Sequence, residues 1–294
     1  MLEFRDIEIS DRDWINKLLV QSDFMGCEYS FANNMAWRRL SDSKITRYKD
    51  FYIIAAKHED SFSATFPAGS GDYYDVISRL REYSESIGVP LVITGVTEKT
   101  LPVFESEFPE EYTADCDPDN SDYIYLAKDL SELKGRKFHQ KRNHLARFQQ
   151  YNWEYSPLTC KDFDECIAFS AMTYNNKNGY DDHSSIVEQF AIHTFFSYFD
   201  ELGLMGGVIR IDGKVCAFTI GERLNSNTVC VHIEKGNTDY QGIYAAINNE
   251  FVKRSCENIM YVNREEDLGI EGLRKAKRSY NPVFLLEKYN ISFK

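Results

Sequence analysis

The sequence predicts an α+β protein built from two similarly organised halves. Extended runs rich in β-branched and aromatic residues alternate with helical patterns along the chain. Both halves carry these elements in the same order, in which neighbouring strands precede a helix, a further strand and a second helix. The acidic stretch at 113–122 (TADCDPDNSD) shows no periodicity and lies between the halves. We therefore predict two domains, 1–120 and 121–294, and expect the second to carry the active site.

In the first half, periodicity indicates five elements. Extended runs at 45–57 and 61–66 precede a helix at 72–88, a strand at 91–96 and a helix at 97–108. Asp72 follows a Gly-rich turn and is the expected N-cap of the first helix, because its side chain can accept from the backbone of the first turn. The turn lacks the Lys-Ser/Thr pair of a nucleotide-binding loop.

The second half begins with two predicted helices, 162–176 and 185–202. Three strands joined by tight turns follow, so a meander is expected. The predicted strands of the meander are 204–211, 215–222 and 228–234. They are followed by a predicted helix at 242–257, a strand at 259–263, a helix at 270–279 and a last strand at 283–293.

The composition is that of a folded protein in a reducing environment. The chain has 294 residues, a formal net charge of −12 and 14% aromatic residues, which argues against disorder. Seven Cys with no C-x-x-C pair indicate neither a disulfide framework nor a Cys-type zinc site, and we expect no metal. No signal-peptide pattern occurs, and no apolar run approaches the roughly 20 residues of a membrane span. We expect a cytoplasmic protein without an integral membrane segment.

A basic run at 134–148 (KGRKFHQKRNHLARF) stands out in this acidic chain, with six Lys or Arg and no carboxylate. As a helix, it places Lys141 and Arg142 beside an apolar stripe of Phe138 and Phe148 that also includes Leu145. Two interpretations remain open. The two side chains either lie along apolar surface with their charges in water, or they form an anion site at the edge of the core.

A second basic cluster at 272–282 repeats this arrangement. Lys277 shares a helical face with Leu273, Ala276 and Tyr280. The repetition predicts that Lys141, Arg142 and Lys277 converge on one pocket for a polyanion. Nucleic-acid phosphates, a cofactor pyrophosphate and lipid head groups are the candidate polyanions.

Two strand ends carry side chains suited to proton transfer. Strand alternation over 229–237 puts His232 and Glu234 on the same face, where a carboxylate and an imidazole can exchange protons. Alternatively, this is a solvent-facing strand edge. The acidic segment that begins with Arg264 and Glu265 directly follows the strand at 259–263 and is the second such strand end. Alternatively, this segment is the acidic N-terminus of a helix, which the helix dipole favours.

The basic run and the segments HIEKGN (232–237) and NREEDLGIEGLRKAKRSYNP (263–282) resemble a bacterial family. It is related to the C-terminal, catalytic domain of phosphatidylglycerol lysyltransferase, and the resemblance extends over about residues 20–290. It implies two tandem α/β/α domains of the GCN5-related N-acetyltransferase (GNAT) fold, each with a mixed, mostly antiparallel sheet. It also implies transfer of an acyl or aminoacyl group from an activated carrier to an amine or hydroxyl.

In related enzymes the donor is aminoacyl-tRNA, so we expect this or another phosphate-bearing acyl donor and a small amine or hydroxyl acceptor. The resemblance implies that the strand ended by Glu234 lies beside the acyl carbonyl. We expect Glu234 to act as the general base, with His232 as its neighbour or relay. The residues expected to bind anion or substrate are Arg136, Lys137, Lys141, Arg142, Asn143, Gly242, Arg264, Glu265, Arg274 and Lys277.

The chain departs from the family pattern in two ways. The acetyl-CoA loop of the superfamily should fall at 237–247, where Gly242 matches but Asp239 and Tyr244 would repel and obstruct a pyrophosphate. We therefore expect acetyl-CoA to bind weakly or not at all. The multi-helix membrane domain of the lysyltransferases is missing from this sequence, which favours a soluble acceptor. A catalytically silent module that binds nucleic acid or an anionic metabolite is the alternative function.

Overall fold

The computed structural model describes residues 2–175 and 182–294. The helices of these residues are α1 Arg12–Ser22, α2 Phe31–Trp37, α3 Tyr73–Ser86, α4 Leu101–Glu107, α5 Ala127–Glu132, α6 His139–Phe148, α7 Phe163–Asn175, α8 Asp182–Ser197, α9 Phe199–Leu202, α10 Ile243–Ser255 and α11 Glu271–Arg278. The strands are β1 Lys44–Tyr48, β2 Phe51–Lys57, β3 Phe62–Thr65, β4 Ala68–Gly69, β5 Leu91–Val96, β6 Tyr112–Cys116, β7 Asp122–Leu126, β8 Trp153–Pro157, β9 Met205–Ile211, β10 Lys214–Arg223, β11 Thr228–Gly236, β12 Tyr261–Asn263, β13 Phe284–Leu286 and β14 Tyr289–Phe293.

The chain forms two compact units. The first consists of Met1–Asp122, Glu266–Gly269 and Leu285–Lys294, and the second of Tyr123–Glu265 and Ile270–Phe284. The predicted division at residue 120 lies close to the first change of unit, but the assignment of the whole C-terminal half to one domain is wrong. The predicted strand at 283–293 is two strands, β13 and β14, and they belong to different sheets.

The sheet of the first unit has the order β1-β2-β3-β5-β14-β6, with β4 paired to β2. β3 and β5 are parallel, whereas β14 runs antiparallel to both β5 and β6. This pairing is the physical reason that the C-terminal strand belongs to the first unit, because β14 fills the sheet between two strands of the N-terminal half. The buried core of this unit includes Phe51, Phe66, Phe104 and Ile291.

The sheet of the second unit has the order β13-β7-β12-β11-β10-β9-β8. The predicted meander β9-β10-β11 is antiparallel, and β11 and β12 form a parallel pair. Helix α10 packs on β9, β10 and β11, and its buried apolar side chains include Ile243 and Ile247. The two sheets are thus mixed and mostly antiparallel, as predicted.

Most predicted elements are confirmed within one to four residues at their ends. The strand at 91–96 has the predicted bounds, and the helix at 242–257 is the shorter α10. The last residue of the predicted helix 162–176 lies outside the described residues. The boundary stretch 113–122, which the sequence predicts to be irregular, contains most of β6. The side chains of β6 are mainly exposed and therefore give no periodic signal. Within the described residues, no helix has the length and hydropathy needed to cross a membrane.

Candidate active site in the second unit

The candidate site lies where two parallel strands of the second unit separate. β11 and β12 are paired only from Thr228–Tyr261 to Cys230–Asn263, after which β12 ends and β11 continues to Gly236. The chain turns sharply after β12, because Glu265 adopts a left-handed conformation with φ 58°. The Asn263 side chain stabilises this turn, its Oδ1 accepting from the Glu265 amide at 2.7 Å. Charged side chains from both segments meet in the space beyond the paired residues.

A β-bulge at His232 separates two side chains that the sequence predicted to be neighbours. Ile233 is paired with Ile220 and Val231 with Gly221, so His232 is the extra residue of β11. Because paired residues point to the same face and the bulge interrupts alternation, His232 and Glu234 no longer share a face. The prediction from strand alternation is therefore wrong at this point. Both ring nitrogens of His232 contact carboxylates other than Glu234.

Glu234 is held by an ion pair and an amide. Its Oε1 accepts from Arg264 Nη2 at 2.8 Å, and its Oε2 accepts from Asn248 Nδ2 at 3.2 Å. The side chains of Glu234 and Arg264 are only 11% and 12% exposed. Among the residues that the structure describes, Arg264 Nη1 and Asn248 Oδ1 are buried and have no hydrogen-bond partner. A buried donor and a buried acceptor beside Glu234 therefore lack partners, which is costly unless a further group satisfies them.

Lys141 lies next to this pair and is buried, as its predicted place beside the apolar stripe requires. Its Nζ lies 3.5 Å from the centroid of the Tyr280 ring, and the Arg264 guanidinium lies 4.7 Å from the same centroid. Burial and the nearby charge of Arg264 lower the pKa of Lys141 to about 8, against the opposing effect of Glu234. Within the described part of the chain, Lys141 makes no hydrogen bond or ion pair. Two cations that share one ring form a region ready to accept an anion.

The other members of the predicted anion pocket have structural partners. Lys277 is buried, and its Nζ donates to the carbonyl oxygens of Arg264 at 2.5 Å and Glu265 at 3.1 Å, which stabilises the turn after β12. Arg142 Nη1 donates to the carbonyl oxygens of Leu133 and Gly135 at the end of α5. The structure therefore brings Lys141 and Arg264 together, while Lys277 supports them and Arg142 caps another helix.

The remaining candidates lie at the surface or in loops. Lys137 pairs with Asp129 at 2.7 Å, and Asn143 bonds His139 in the same helix. Arg136 is exposed and Arg274 half-buried. The apolar face predicted for α11 is wrong in part, because Leu273 is 37% exposed and Tyr280 is the buried aromatic residue.

The N-terminus of α10 differs from a phosphate-binding loop. Gly242 has φ 95°, and a Cβ on it would lie 2.3 Å from the His144 carbonyl oxygen of α6. The amides of Asp239, Gln241 and Ile243 are bonded to Asn237 Oδ1, the Tyr151 hydroxyl and the Tyr240 carbonyl. Donors that would otherwise point to a pyrophosphate are thus already satisfied.

On the other face of β11, His232 is enclosed by acidic and aromatic side chains. Its Nδ1 lies 2.8 Å from Glu265 Oε1, and its Nε2 lies 3.1 Å from Glu222 Oε1. The ring stacks on Phe195 of α8 at 5.4 Å between centroids. Burial alone would lower the pKa of His232, but Cys230 and the two carboxylates outweigh it and raise this pKa well above its ordinary value.

Sequence reasoning missed three of these residues. Asn248 lies in a helix, where an amide side chain is usually exposed. The apolar residues that precede it in α10 were the signal that could have indicated its burial. Glu222 comes from the neighbouring strand, and its contact with His232 depends on the bulge. Tyr280 was assigned to an apolar face, and its use as a platform for two cations was not predicted.

Comparison with known proteins identifies the family of this chain. Residues 20–292 match the family model "Phosphatidylglycerol lysyltransferase, C-terminal". The chain belongs to this family. A conserved protein of unknown function from Bacteroides thetaiotaomicron is 39% identical over 100% of both chains, with a TM-score of 0.94.

Two more distant structures share the fold of this lysyltransferase-family chain. L-PGS from Bacillus licheniformis is 14% identical, covers 99% of this chain and 94% of its own, and has a TM-score of 0.66. FemX is 8% identical, covers 98% of this chain and 96% of its own, and has a TM-score of 0.67. The predicted α+β architecture with two mixed sheets is confirmed.

Proposed function

We propose that this lysyltransferase-family protein transfers an aminoacyl group from aminoacyl-tRNA to an amine or hydroxyl acceptor, with the site around Glu234 as its active site. Membership of the family and the fold shared with L-PGS and FemX support aminoacyl transfer. The observation that carries the proposal is the buried group of Glu234, Arg264 and Lys141, with an unsatisfied donor on Arg264 and an unsatisfied acceptor on Asn248.

The chemistry needs a proton acceptor and a stabilised oxyanion. The acceptor nucleophile attacks the ester carbonyl, and its proton passes to a free lone pair of the Glu234 carboxylate. Arg264 Nη1 donates to the oxyanion that develops on the carbonyl oxygen. The ester C–O bond then breaks, and the proton passes from Glu234 to the departing ribose oxygen.

The donor is bound by its negative charge. Lys141 presents a desolvated ammonium that has no ionic partner in the described part of the chain, and its pKa of about 8 leaves it mostly charged at neutral pH. A phosphate near Lys141 would restore the interactions that burial removed. Arg136 and Arg147 are exposed in the same basic segment and can contact further phosphates of a polynucleotide.

Acetyl-CoA is a poor donor in this proposal. The bonded amides of Asp239, Gln241 and Ile243, and the close approach of His144 to Gly242, leave little room for a pyrophosphate at α10. A carrier bound through Lys141 does not need these amides. The donor is therefore distinguished by where its phosphates bind.

The test is an aminoacyl-transfer assay with the full chain. tRNA charged with radiolabelled amino acids is incubated with amine and hydroxyl acceptors, and acetyl-CoA is assayed in parallel. We expect Glu234→Gln to lower turnover by about 10²- to 10⁴-fold with folding intact, since the shape is kept and the base is lost. Glu188→Gln is the matched control. Glu188 of α8 pairs at 2.7 Å with Lys235, the residue after Glu234 in β11, and this variant should leave turnover unchanged. Full turnover by Glu234→Gln, or efficient use of acetyl-CoA, would contradict the proposal.

A further inference from the structure

The face of β11 opposite Glu234 carries a second cluster with no role in the proposed transfer. We propose that Cys230, His232 and Glu265 bind a zinc ion, and that Glu222 orients the imidazole. The Cys230 Sγ, the imidazole and a Glu265 carboxylate oxygen all lie within 4.8 Å of one another. Thiolate, imidazole and carboxylate are the ligand types that zinc prefers in proteins.

The separations fit three of the four ligand positions around a tetrahedral ion. His232 Nδ1 and Glu265 Oε1 are 2.8 Å apart, and Cys230 Sγ and Glu265 Oε1 are 3.8 Å apart. Tetrahedral zinc with ordinary bond lengths separates such ligand atoms by about 3.3 to 3.6 Å. One observed distance is shorter than this range and the other longer, so small rotations of the Glu265 carboxylate make room for the ion.

The second nitrogen of the imidazole has the partner that a metal-binding histidine requires. His232 Nε2 lies 3.1 Å from Glu222 Oε1, on the opposite side of the ring from Glu265. A carboxylate there holds the Nε2 proton, so that Nδ1 is free to bind the metal, and it also makes the ligand more basic. Phe195 stacks on the ring and fixes its plane. The His232 side chain is fully buried, which keeps competing water from the ligands.

The charge of the cluster is suited to a divalent cation. Zinc binds Cys as the thiolate and His as the neutral imidazole, so binding releases the thiol proton and any second imidazole proton. The thiolate and the Glu265 carboxylate together carry two negative charges, which balance the charge of one Zn²⁺. The bound ion and its ligands are therefore neutral together, which limits the cost of burying the ion in these low-dielectric surroundings.

A metal here would position the catalytic turn without contacting substrate. Glu265 follows Arg264 directly, and the bonds of Cys230 and His232 to the ion would fix this turn to β11. The sequence predicted no metal, because it carries no familiar ligand motif. Two of the ligands come from β11 and the third from the turn after β12, and the bulge turns His232 toward the Cys230 side of β11.

The experiment measures metal binding and does not depend on an activity assay. The full chain is purified without chelator, its zinc content is measured by mass spectrometry, and the zinc is replaced by Co²⁺. We expect stoichiometric zinc and, with cobalt, a sulfur-to-metal charge-transfer band. Cys230→Ala should abolish this band, whereas Cys256→Ala, at a buried Cys of the same unit, should retain it.

A milder variant keeps the test valid if Cys230→Ala does not fold. Glu222→Gln should keep the charge-transfer band while weakening metal affinity by about 10- to 100-fold. A folded wild-type protein that takes up neither zinc nor cobalt would overturn the proposal, as would a charge-transfer band that persists in folded Cys230→Ala. Neither result would bear on aminoacyl transfer, so the two proposals can fail separately.

Discussion

The two units build the same sheet motif and fill it differently. In the first unit, the parallel pair begins at Phe62–Leu91, and the residues four positions later are Phe66 and Gly95. In the second, the parallel pair begins at Thr228–Tyr261, and the corresponding residues are His232 and Glu265. An aromatic ring in one unit thus occupies the position of an ion pair in the other.

The surroundings of these positions explain the difference. Phe66 is 1% exposed, and the centroid of its ring lies 5.0 Å from that of Tyr73 and 5.9 Å from that of Phe104. His232 is also buried, but its two ring nitrogens require carboxylates as partners. Apolar packing at this position stabilises the first unit directly, whereas the buried ions at the corresponding position of the second contribute little net stability. We infer that the first unit is a scaffold and the second carries the chemistry.

The first unit also holds a buried charged cluster, in which a lysine ammonium neutralises acidic side chains. Lys288 Nζ bonds Asp122 Oδ1 at 2.7 Å and Glu28 Oε2 at 2.8 Å, and it lies 3.5 Å from Cys27 Sγ. The lysine ammonium occupies the position that a metal ion would take among these ligands. Desolvation lowers the pKa of Lys288, but the surrounding acidic groups outweigh it and raise this pKa well above its ordinary value. The carboxylates around His232 have an imidazole between them instead.

The largest stability effect is expected in the scaffold unit. Phe66→Ala should lower the free energy of unfolding by about 3–5 kcal/mol, because it removes a fully buried ring from a packed core. Turnover of the protein that remains folded should not change, since Phe66 belongs to the first unit. Denaturant unfolding followed by circular dichroism measures this, with Leu40→Ala as an exposed control in the same unit. A loss of turnover without a loss of stability would mean that the first unit takes part in the chemistry.

The second unit should respond to pH through Lys141. Its pKa is about 8 in the folded protein, below the value of about 10.4 expected for an unfolded chain. Between these values the unfolded chain binds the extra proton, so stability should rise with pH from about 8 to about 10. Lys141→Met should be more stable than wild type near pH 7, and the difference should shrink as pH rises through this window.

Denaturation of both proteins at several pH values checks this prediction, because contributions from other groups cancel in the difference between them. Lys137→Met removes a charge from the same basic segment, but its ammonium is exposed and paired with Asp129. It is therefore the matched control. A difference between wild type and Lys141→Met that does not vary with pH would show that the ammonium is well solvated.

Local patterns predicted the elements but not the register between them. Alternating and helical periodicity located β5, the meander and α10, and Asp72 is the predicted N-cap, its side chain accepting from the Asp75 amide. Lys141, Glu234 and Arg264 were also identified from sequence. The bulge at His232 could not be, because it depends on the pairing of β11 with β10. Nor could the place of β14, which pairs with strands from the other half of the sequence.

The smallest effects should come from the helix that follows each meander. α3 begins with the Asp72 side-chain cap, whereas α10 begins at Gly242, which has φ 95° and lies against the His144 carbonyl oxygen. Gly242→Ala should cost about 1–3 kcal/mol, because the backbone is strained for an L residue and the new methyl has no room. Gly272→Ala in α11 is the matched control, since a Cβ there meets nothing within 4 Å. It should stabilise by about 0.4–1 kcal/mol by reducing the freedom of the unfolded chain. Equal unfolding midpoints for the two variants would mean that α6 moves away from α10, and a pyrophosphate could then approach the start of that helix.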